Sequence, residues 1–194
     1  MLDVDGVVVR DPGGGAWTDA LQADLGVDPE ELDRRFFRVH FGDVLAGRAD
    51  LFDRLDLVLP SLGSVRSTEL VDYWFTHDAT LDERLLTDLA RARDRGIMAH
   101  LATIQEHHRA QFLWRSVGLC ERFAAMHYSA EMGAFKLEPA FYRIIESRTG
   151  LAPAEHCLID DRAENVNAAQ DAGWQAVQWT AGRRLAEVLR ELST

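Results

Sequence analysis

The 194-residue sequence predicts an α/β protein: a three-layer core of parallel strands between helices, with a small α-helical cap inserted near its start. Three observations predict it. From residue 80 onward, short apolar runs alternate with stretches of helical period, the pattern of a parallel sheet covered on both faces. Residues 16 to 79 break that alternation and keep helical period throughout. The length allows one sizeable core and a small satellite, not two full domains.

The elements follow in order. A short first strand ends in Asp3-Val4-Asp5-Gly6-Val7. Asp28-Pro29-Glu30-Glu31 starts a helix with Leu32, Phe36 and Phe37 on its apolar side. Leu51, Leu55, Val58 and Leu59 form a second stripe, and Leu70, Val71, Trp74 and Phe75 a third. Thr80-Leu81-Asp82-Glu83 reads as a capping box in which Thr80 bonds the first-turn amides. Leu81, Leu85, Leu86 and Leu89 line the helix behind it, which ends near Gly96. Ile97 to Ala102 suits a buried strand. Ala110, Leu113, Trp114 and Val117 mark a helix stopped by Gly118, and Phe123 to Tyr128 the next strand. Pro139 opens a helix with Phe141, Ile144 and Ile145 on one face, closed by Gly150. His156 to Ile159 is a strand, Ala163 to Ala172 a helix and Ala176 to Trp179 the last strand. Leu185, Val188, Leu189 and Leu192 make a terminal amphipathic helix. The core, Rossmann-like in this alternation, takes residues 1–15 and 80–194, and the cap 16–79. Gly13-Gly14-Gly15 is a candidate hinge or mobile flap, with a plain surface turn of equal weight.

Composition narrows the partners. Twenty-one basic against 32 acidic residues give a formal charge of −11, which disfavours a nucleic-acid backbone. No apolar run approaches a membrane span, and MLDVDGVVVR lacks the features of a signal peptide. Cys120 and Cys157 have no CxxC spacing, so the expectation is a cytoplasmic chain with free thiols and no membrane partner. Oligomeric state is not legible.

In a parallel α/β sheet, ligands bind beyond the carboxyl ends of the strands. Those ends present Asp3 and Asp5, then Thr103, then Lys136 after the strand ending near Tyr128, then Asp160-Asp161. Carboxylates gathered there repel one another by several kcal/mol and would repel an anionic substrate. A divalent cation such as Mg²⁺, with its preference for oxygen ligands, removes both difficulties. Lys136 would add positive charge and hold Asp3 ionised, and Thr103 would offer a hydroxyl to a phosphate oxygen. Other polar residues carry less. His107 and His108 are adjacent, point about 100° apart on a helix and do not share a metal in the i, i+4 manner. Trp17, Trp74, Phe36 and Phe37 are expected in the cap core. Glu106 and Arg109 read as solvated helix residues, and Asn165 as orienting the loop after Asp161.

The stretches Asp3-Val4-Asp5-Gly6-Val7, His100-Leu101-Ala102-Thr103, Lys136-Leu137-Glu138-Pro139 and Ile159-Asp160-Asp161-Arg162-Ala163-Glu164-Asn165-Val166 occur in this order. Together they resemble the haloacid dehalogenase superfamily, in its phosphatase branch with a helical cap between the first and second motifs. The resemblance implies a Mg²⁺-dependent hydrolase acting on a small phosphorylated metabolite. By it, Asp3 is the nucleophile, Asp5 the acid/base, and Thr103 and Lys136 bind phosphate. The metal would be held by Asp3, the backbone carbonyl of Asp5, Asp161, and Asp160 directly or through water. A phosphomutase, or a scaffold that merely keeps the fold, is the alternative. Three features depart from the pattern. Only Met1 and Leu2 precede Asp3; Ile104 stands where many relatives have Asn; and Leu137-Glu138 separate Lys136 from Pro139.

Overall fold

The computed structural model describes residues 1–10 and 16–192, so the Gly13-Gly14-Gly15 run lies outside the described residues. Strand β1 (Leu101–Thr103) pairs in parallel with β2 (Met126–Tyr128), Leu101 opposite Met126. Strand β3 (Cys157–Asp160) pairs in parallel with β4 (Gln175–Gln178), Cys157 opposite Gln175. Leu2 joins the two halves, bridging Leu101 on one side and Ile159 on the other, both in parallel. The order across the sheet is therefore β2, β1, the Leu2 segment, β3, β4. The expected first strand is thus one bridging residue, yet it is well tied. Leu2 N–H donates to His100 O, Ala102 N–H to Leu2 O, Asp3 N–H to Ile159 O and Ile159 N–H to Met1 O, each at 2.9 Å.

That short segment explains a difference from the sequence reading. The strand expected from Ile97 begins only at Leu101, and Ile97 and Met98 are exposed. The neighbouring Leu2 segment bridges only at Leu101, so the ladder on that side starts late. Likewise β2 starts at Met126 rather than Phe123, whose ring is buried after a tight turn at Leu119–Glu121.

Side chains alternate across the sheet as the pleat requires. Leu101 and Ile159 face a layer with Leu85, Leu86, Leu89, Leu113, Leu185 and Val188. Ala102 and Leu158 face the opposite layer, with Phe141, Tyr142, Ile145, Ala169 and Trp174. The result is the three-layer α/β fold, with helices on both faces of a parallel sheet.

Between the Leu2 segment and β1 lies a helical lobe: α1 (Leu21–Leu25), α2 (Pro29–Leu32), α3 (Phe41–Leu45), α4 (Leu51–Val58) and α5 (Ser67–His77). Asp28 accepts from the amides of Glu30 and Glu31 to start α2, and Asp50 from those of Phe52 and Asp53 to start α4. Leu32, Phe36, Leu51, Leu55, Leu70, Trp74 and Phe75 form the lobe's own core, with Trp17 and Phe37 half-buried against it. The lobe meets the sheet layer where Ser129 Oγ donates to Leu45 O at 2.7 Å.

After the lobe come α6 (Glu83–Arg93), α7 (His107–Gln111), α8 (Ser129–Met132), α9 (Pro139–Thr149), α10 (Ala163–Asp171) and α11 (Leu185–Glu191). Helix α6 is capped by Asp82, whose Oδ1 accepts from Leu85 N–H at 2.9 Å, and not by Thr80. The chain at Thr80 and Leu81 is still extended, because Leu81 bridges Val9 and Thr80 O accepts from Arg10 N–H. The helical start is delayed until that pairing ends.

Candidate active site

Asp3 follows the Leu2 bridge, so the central position of the sheet delivers its carboxylate to the carboxyl edge. The residue is 7% exposed, and Oδ1 accepts from Val4 N–H and from Lys136 Nζ, both at 2.7 Å. Lys136 lies beyond α8, past the turn that Gly133 makes with φ +62°. Its ammonium, almost fully buried, sits between two carboxylates, at 2.7 Å from Asp160 Oδ2 as well. Asp160 ends β3 and is fully buried. Its Oδ1 also accepts from Arg162 N–H at 2.9 Å and from Asn165 Nδ2 at 3.0 Å. Asn165 thus orients the loop, as its position in the sequence suggested.

Asp161 is half-buried on the other side, beside Gly6. Oxygens of Asp3, Asp160 and Asp161 lie within 4.8 Å of one another. A methyl group on Gly6 would stand 2.6 Å from Asp161 Cγ, and Gly6 has φ +78°, so both space and backbone require glycine there. Thr103 ends β1, beside the Asp3 segment. Its hydroxyl is buried and has no hydrogen-bond partner among the described residues.

The electrostatics differ from expectation in one respect. Lys136 was expected to hold Asp3 ionised, yet the Asp3 carboxyl is pushed up to about 7. Burial is the main cause; Lys136 pulls the other way, and the charges of Asp160 and Asp5 add to the rise. One lysine shared with Asp160 does not offset the desolvation of Asp3. Asp161 is also raised, by burial first and by Asp160 second. Three oxygen donors that repel one another fit a hard divalent cation, and such a cation would restore the ionised forms. Asp160 already spends its oxygens on Lys136, Arg162 and Asn165, which leaves Asp3 and Asp161 as the freer ligands.

Asp5 stands apart from this buried group, with a side chain 51% exposed. Gln105 Nε2 donates to its Oδ2, and Arg109 Nη2 lies 3.1 Å from its Oδ1. Here the sequence reading needs correction. Glu106 and Arg109 are not solvated; they are 1% and 3% exposed, and Gln105 is 3% exposed. Glu106 caps α7 by accepting from the amides of His108 and Arg109, and burial pushes its carboxyl up. Arg109 reaches Asp5 and Asp78. A signal was present, since Gln105 and Arg109 follow closely on the strand-end Thr103, at the sheet edge where ligands bind.

The departures from the family pattern are absorbed locally. Ile104 packs against the Phe141–Tyr142 layer, and the amide next along, Gln105, reaches the site instead. Leu137 and Glu138 form a turn in which Glu138 Oε2 accepts from Phe135 N–H at 3.0 Å, and Lys136 still reaches Asp3. His107 and His108 go separate ways, His107 Nδ1 to within 3.3 Å of the Tyr128 hydroxyl and His108 Nε2 to within 2.7 Å of Asp50.

A buried aspartate at the centre of a parallel sheet, beside a lysine and a second acidic pair, defines the class of hydrolases built on this architecture. Residues 1–173 match the family described as haloacid dehalogenase-like hydrolase, and the chain belongs to that family. The fold resembles a HAD family enzyme from Bacteroides thetaiotaomicron, complexed with magnesium and inorganic phosphate. The TM-score is 0.71 at 17% identity, over 97% of each chain. It also resembles a predicted HAD-like family hydrolase from Porphyromonas gingivalis (TM-score 0.65, 16% identity, 100% of this chain and 96% of that one). L-2-haloacid dehalogenase from Xanthobacter autotrophicus is similar too (TM-score 0.65, 20% identity, 99% of this chain and 80% of that one). A comparison with curated proteins gave no match. Among the described residues no helix is long and apolar enough to cross a membrane.

Proposed function

We propose that the chain is a Mg²⁺-dependent phosphatase that hydrolyses a small soluble phosphomonoester through a phospho-aspartate on Asp3. The observation that carries the reading is the buried set at the sheet edge. Asp3 and Asp160 share one lysine at 2.7 Å, and Asp161 completes a donor cluster for a hard cation. The Bacteroides relative's magnesium and phosphate support it by likeness of fold.

In this reading Asp3, Asp161, the backbone carbonyl of Asp5 and, directly or through water, Asp160 would hold the cation. Bound Mg²⁺ supplies charge that draws in the phosphate and keeps Asp3 ionised. Lys136 and the orphaned Thr103 hydroxyl take phosphate oxygens. An Asp3 oxygen attacks phosphorus, the bond to the leaving oxygen breaks, and Asp5 gives that oxygen its proton. Asp5 then takes a proton from water as the water attacks the phosphorus. Phosphate leaves and Asp3 is regenerated. Residues 16–79 act as a cap over the site, with 1–15 and 80–194 as the core, closing to exclude bulk water and select the leaving group. The two cysteines, both free, accord with the reducing cytoplasm.

A dehalogenase shares the fold, but displacing halide from carbon needs no proton donor such as Asp5. A panel of phosphomonoesters and a 2-haloacid, assayed with Mg²⁺, with chelator and with Asp3→Asn, decides the matter. Phosphate release that requires both Mg²⁺ and Asp3 is expected. Turnover surviving either change would sink the mechanism. Halide release alone would identify a dehalogenase, isomerisation without phosphate release a mutase, and silence without Mg²⁺ binding a scaffold.

A further inference from the structure

Arg109 has the burial of a core residue and the chemistry of a surface one, and the mechanism above gives it no part. Its guanidinium reaches three acceptors through one nitrogen. Nη2 lies 3.1 Å from Asp5 Oδ1, 2.7 Å from Asp78 O and 3.1 Å from Asp78 Oδ2. The same group lies over two rings of the cap, 5.9 Å from the Trp74 centroid and 5.7 Å from that of Phe75. Nη2 carries two hydrogens for those three acceptors, while Nη1 is buried with no partner among the described residues.

Stability does not account for this arrangement. A buried donor without a partner is a net cost. An ion pair with a half-exposed carboxylate returns little of it. An apolar side chain in the same volume would serve the core better. What the arrangement does achieve is geometric. Asp5 is half-exposed, and without partners its carboxylate would turn among rotamers. Gln105 holds Oδ2 and Arg109 holds Oδ1, one buried donor to each oxygen. Gln105 lies just before the N-cap of α7 and Arg109 within the helix, so donors from two successive segments fix both the position and the plane of the carboxylate.

We infer that Arg109 is the positioning residue for Asp5, tying the acid/base carboxylate to Asp78, where the chain returns from the cap to the core. The role assigned to Asp5 rests on the phosphatase reading. The geometric part does not: Arg109 sets where the Asp5 carboxylate sits, whatever reaction it serves. If the role holds, loss of Arg109 harms the step that needs a proton and spares the step that does not. A p-nitrophenolate leaves without protonation, whereas an alkoxide does not.

The test compares wild type, Arg109→Met and Arg109→Lys on p-nitrophenyl phosphate and on an alkyl phosphate, with Mg²⁺ present. For Arg109→Met, the first-turnover rate of leaving-group release should fall about 10- to 100-fold on the alkyl ester and less than about 3-fold on the aryl ester, while breakdown of the phospho-aspartate, for which Asp5 is the base, slows alike for both. Lysine should restore part of the loss, since it keeps one charged donor but not the planar fork. Equal first-turnover losses on both esters, or a change in KM alone, would overturn the inference and make Arg109 a strut between cap and core. A crystal structure of Arg109→Met supplies an arm independent of turnover. Asp5 displaced or spread over rotamers is expected; Asp5 unmoved would overturn the inference even if every ester proved inert. Inert wild-type enzyme would instead refute the phosphatase reading, with the crystallographic arm still deciding for or against Arg109.

Discussion

Replacing Gly6 with alanine separates the stability of the fold from the working of the site. Gly6 has φ +78°, and an L-residue in that region costs about 1–2 kcal/mol. For a chain of this length each kcal/mol lowers Tm by about 2–4 °C, so the variant should melt a few degrees early. The new methyl would stand 2.6 Å from Asp161 Cγ and closer still to Oδ2. Ordinary contact is near 3.5 Å, so the carboxylate must retreat by about 1 Å. Asp161 is half-buried and can swing, which keeps the cost to the fold small. Metal ligands, however, are held to about 0.2 Å. The Mg²⁺ concentration for half-maximal turnover should therefore rise about 10- to 100-fold, the scale seen when a site's supporting groups are disturbed. Calorimetric Mg²⁺ titration and thermal unfolding in chelator measure the two effects separately. Gly150→Ala is the control: φ is +71° and nothing lies within 4 Å of the new methyl, so it should share the loss of Tm and keep normal Mg²⁺ dependence. A Gly6→Ala protein with wild-type Mg²⁺ dependence would refute the reasoning, as would a Gly150→Ala protein that loses it.

Asp3→Asn should stabilise the cation-free protein at high pH. The Asp3 carboxyl rises from 3.8 to about 7 on folding, so between those values the folded state binds more protons than the unfolded one. Wild-type stability therefore falls as pH rises through that window, and the asparagine variant escapes the fall. By pH 8 in chelator the variant should be ahead by on the order of a few kcal/mol, and equal denaturation midpoints at pH 8 would contradict this. A second prediction concerns the late start of the central ladder. A cavity of about 430 Å³ lies beside Met1, lined in part by Leu89, Ile97, Ala99, His100, Cys157 and Leu189. Adding two apolar residues ahead of Met1 should extend the strand into it and stabilise by about 1.5–3 kcal/mol for each side chain buried. Urea denaturation reads the gain, and an unchanged midpoint would show that the added residues do not enter the sheet.

What the sequence disclosed and what it hid follow from the range of the interactions involved. The strand-end residues Asp3, Thr103, Lys136, Asp160 and Asp161 were legible because their placement needs only the alternation of elements and the rule for sheet edges. The helix start at Asp28 was legible because capping is local. The start of α6 was misplaced by two residues because Leu81 pairs with Val9, a contact across more than seventy positions. The start of β1 was misplaced because a strand needs a neighbour, and the neighbour here is one residue long. Glu106 and Arg109 were read as surface because nothing in their own segment buries them. Trp74 and Phe75 of the helical lobe, with Asp78 and Asp5, enclose Arg109. The Lys136–Asp3 balance was misjudged because the sequence does not show how deeply Asp3 is buried, and Asp160, which claims the same ammonium, adds to the rise.

The groups that the fold satisfies least gather where the chemistry would occur. Asp3 and Asp161 are carboxyls raised by burial; Thr103 Oγ1 and Arg109 Nη1 are buried without partners. Trp179 Nε1, just past β4, and His127 Nδ1, within β2, are exceptions that the site does not explain. Each of these groups would be better tolerated as an apolar isostere if packing alone decided. The two apolar layers on the sheet are broad enough to carry that cost, and the cost is relieved only when charge of the opposite sign and oxygen acceptors arrive. A cation between Asp3 and Asp161 lowers the first penalty, and phosphate oxygens at Thr103 the second. Cation and phosphate should therefore stabilise the protein together by more than the sum of their separate effects, because each supplies what the other's site lacks.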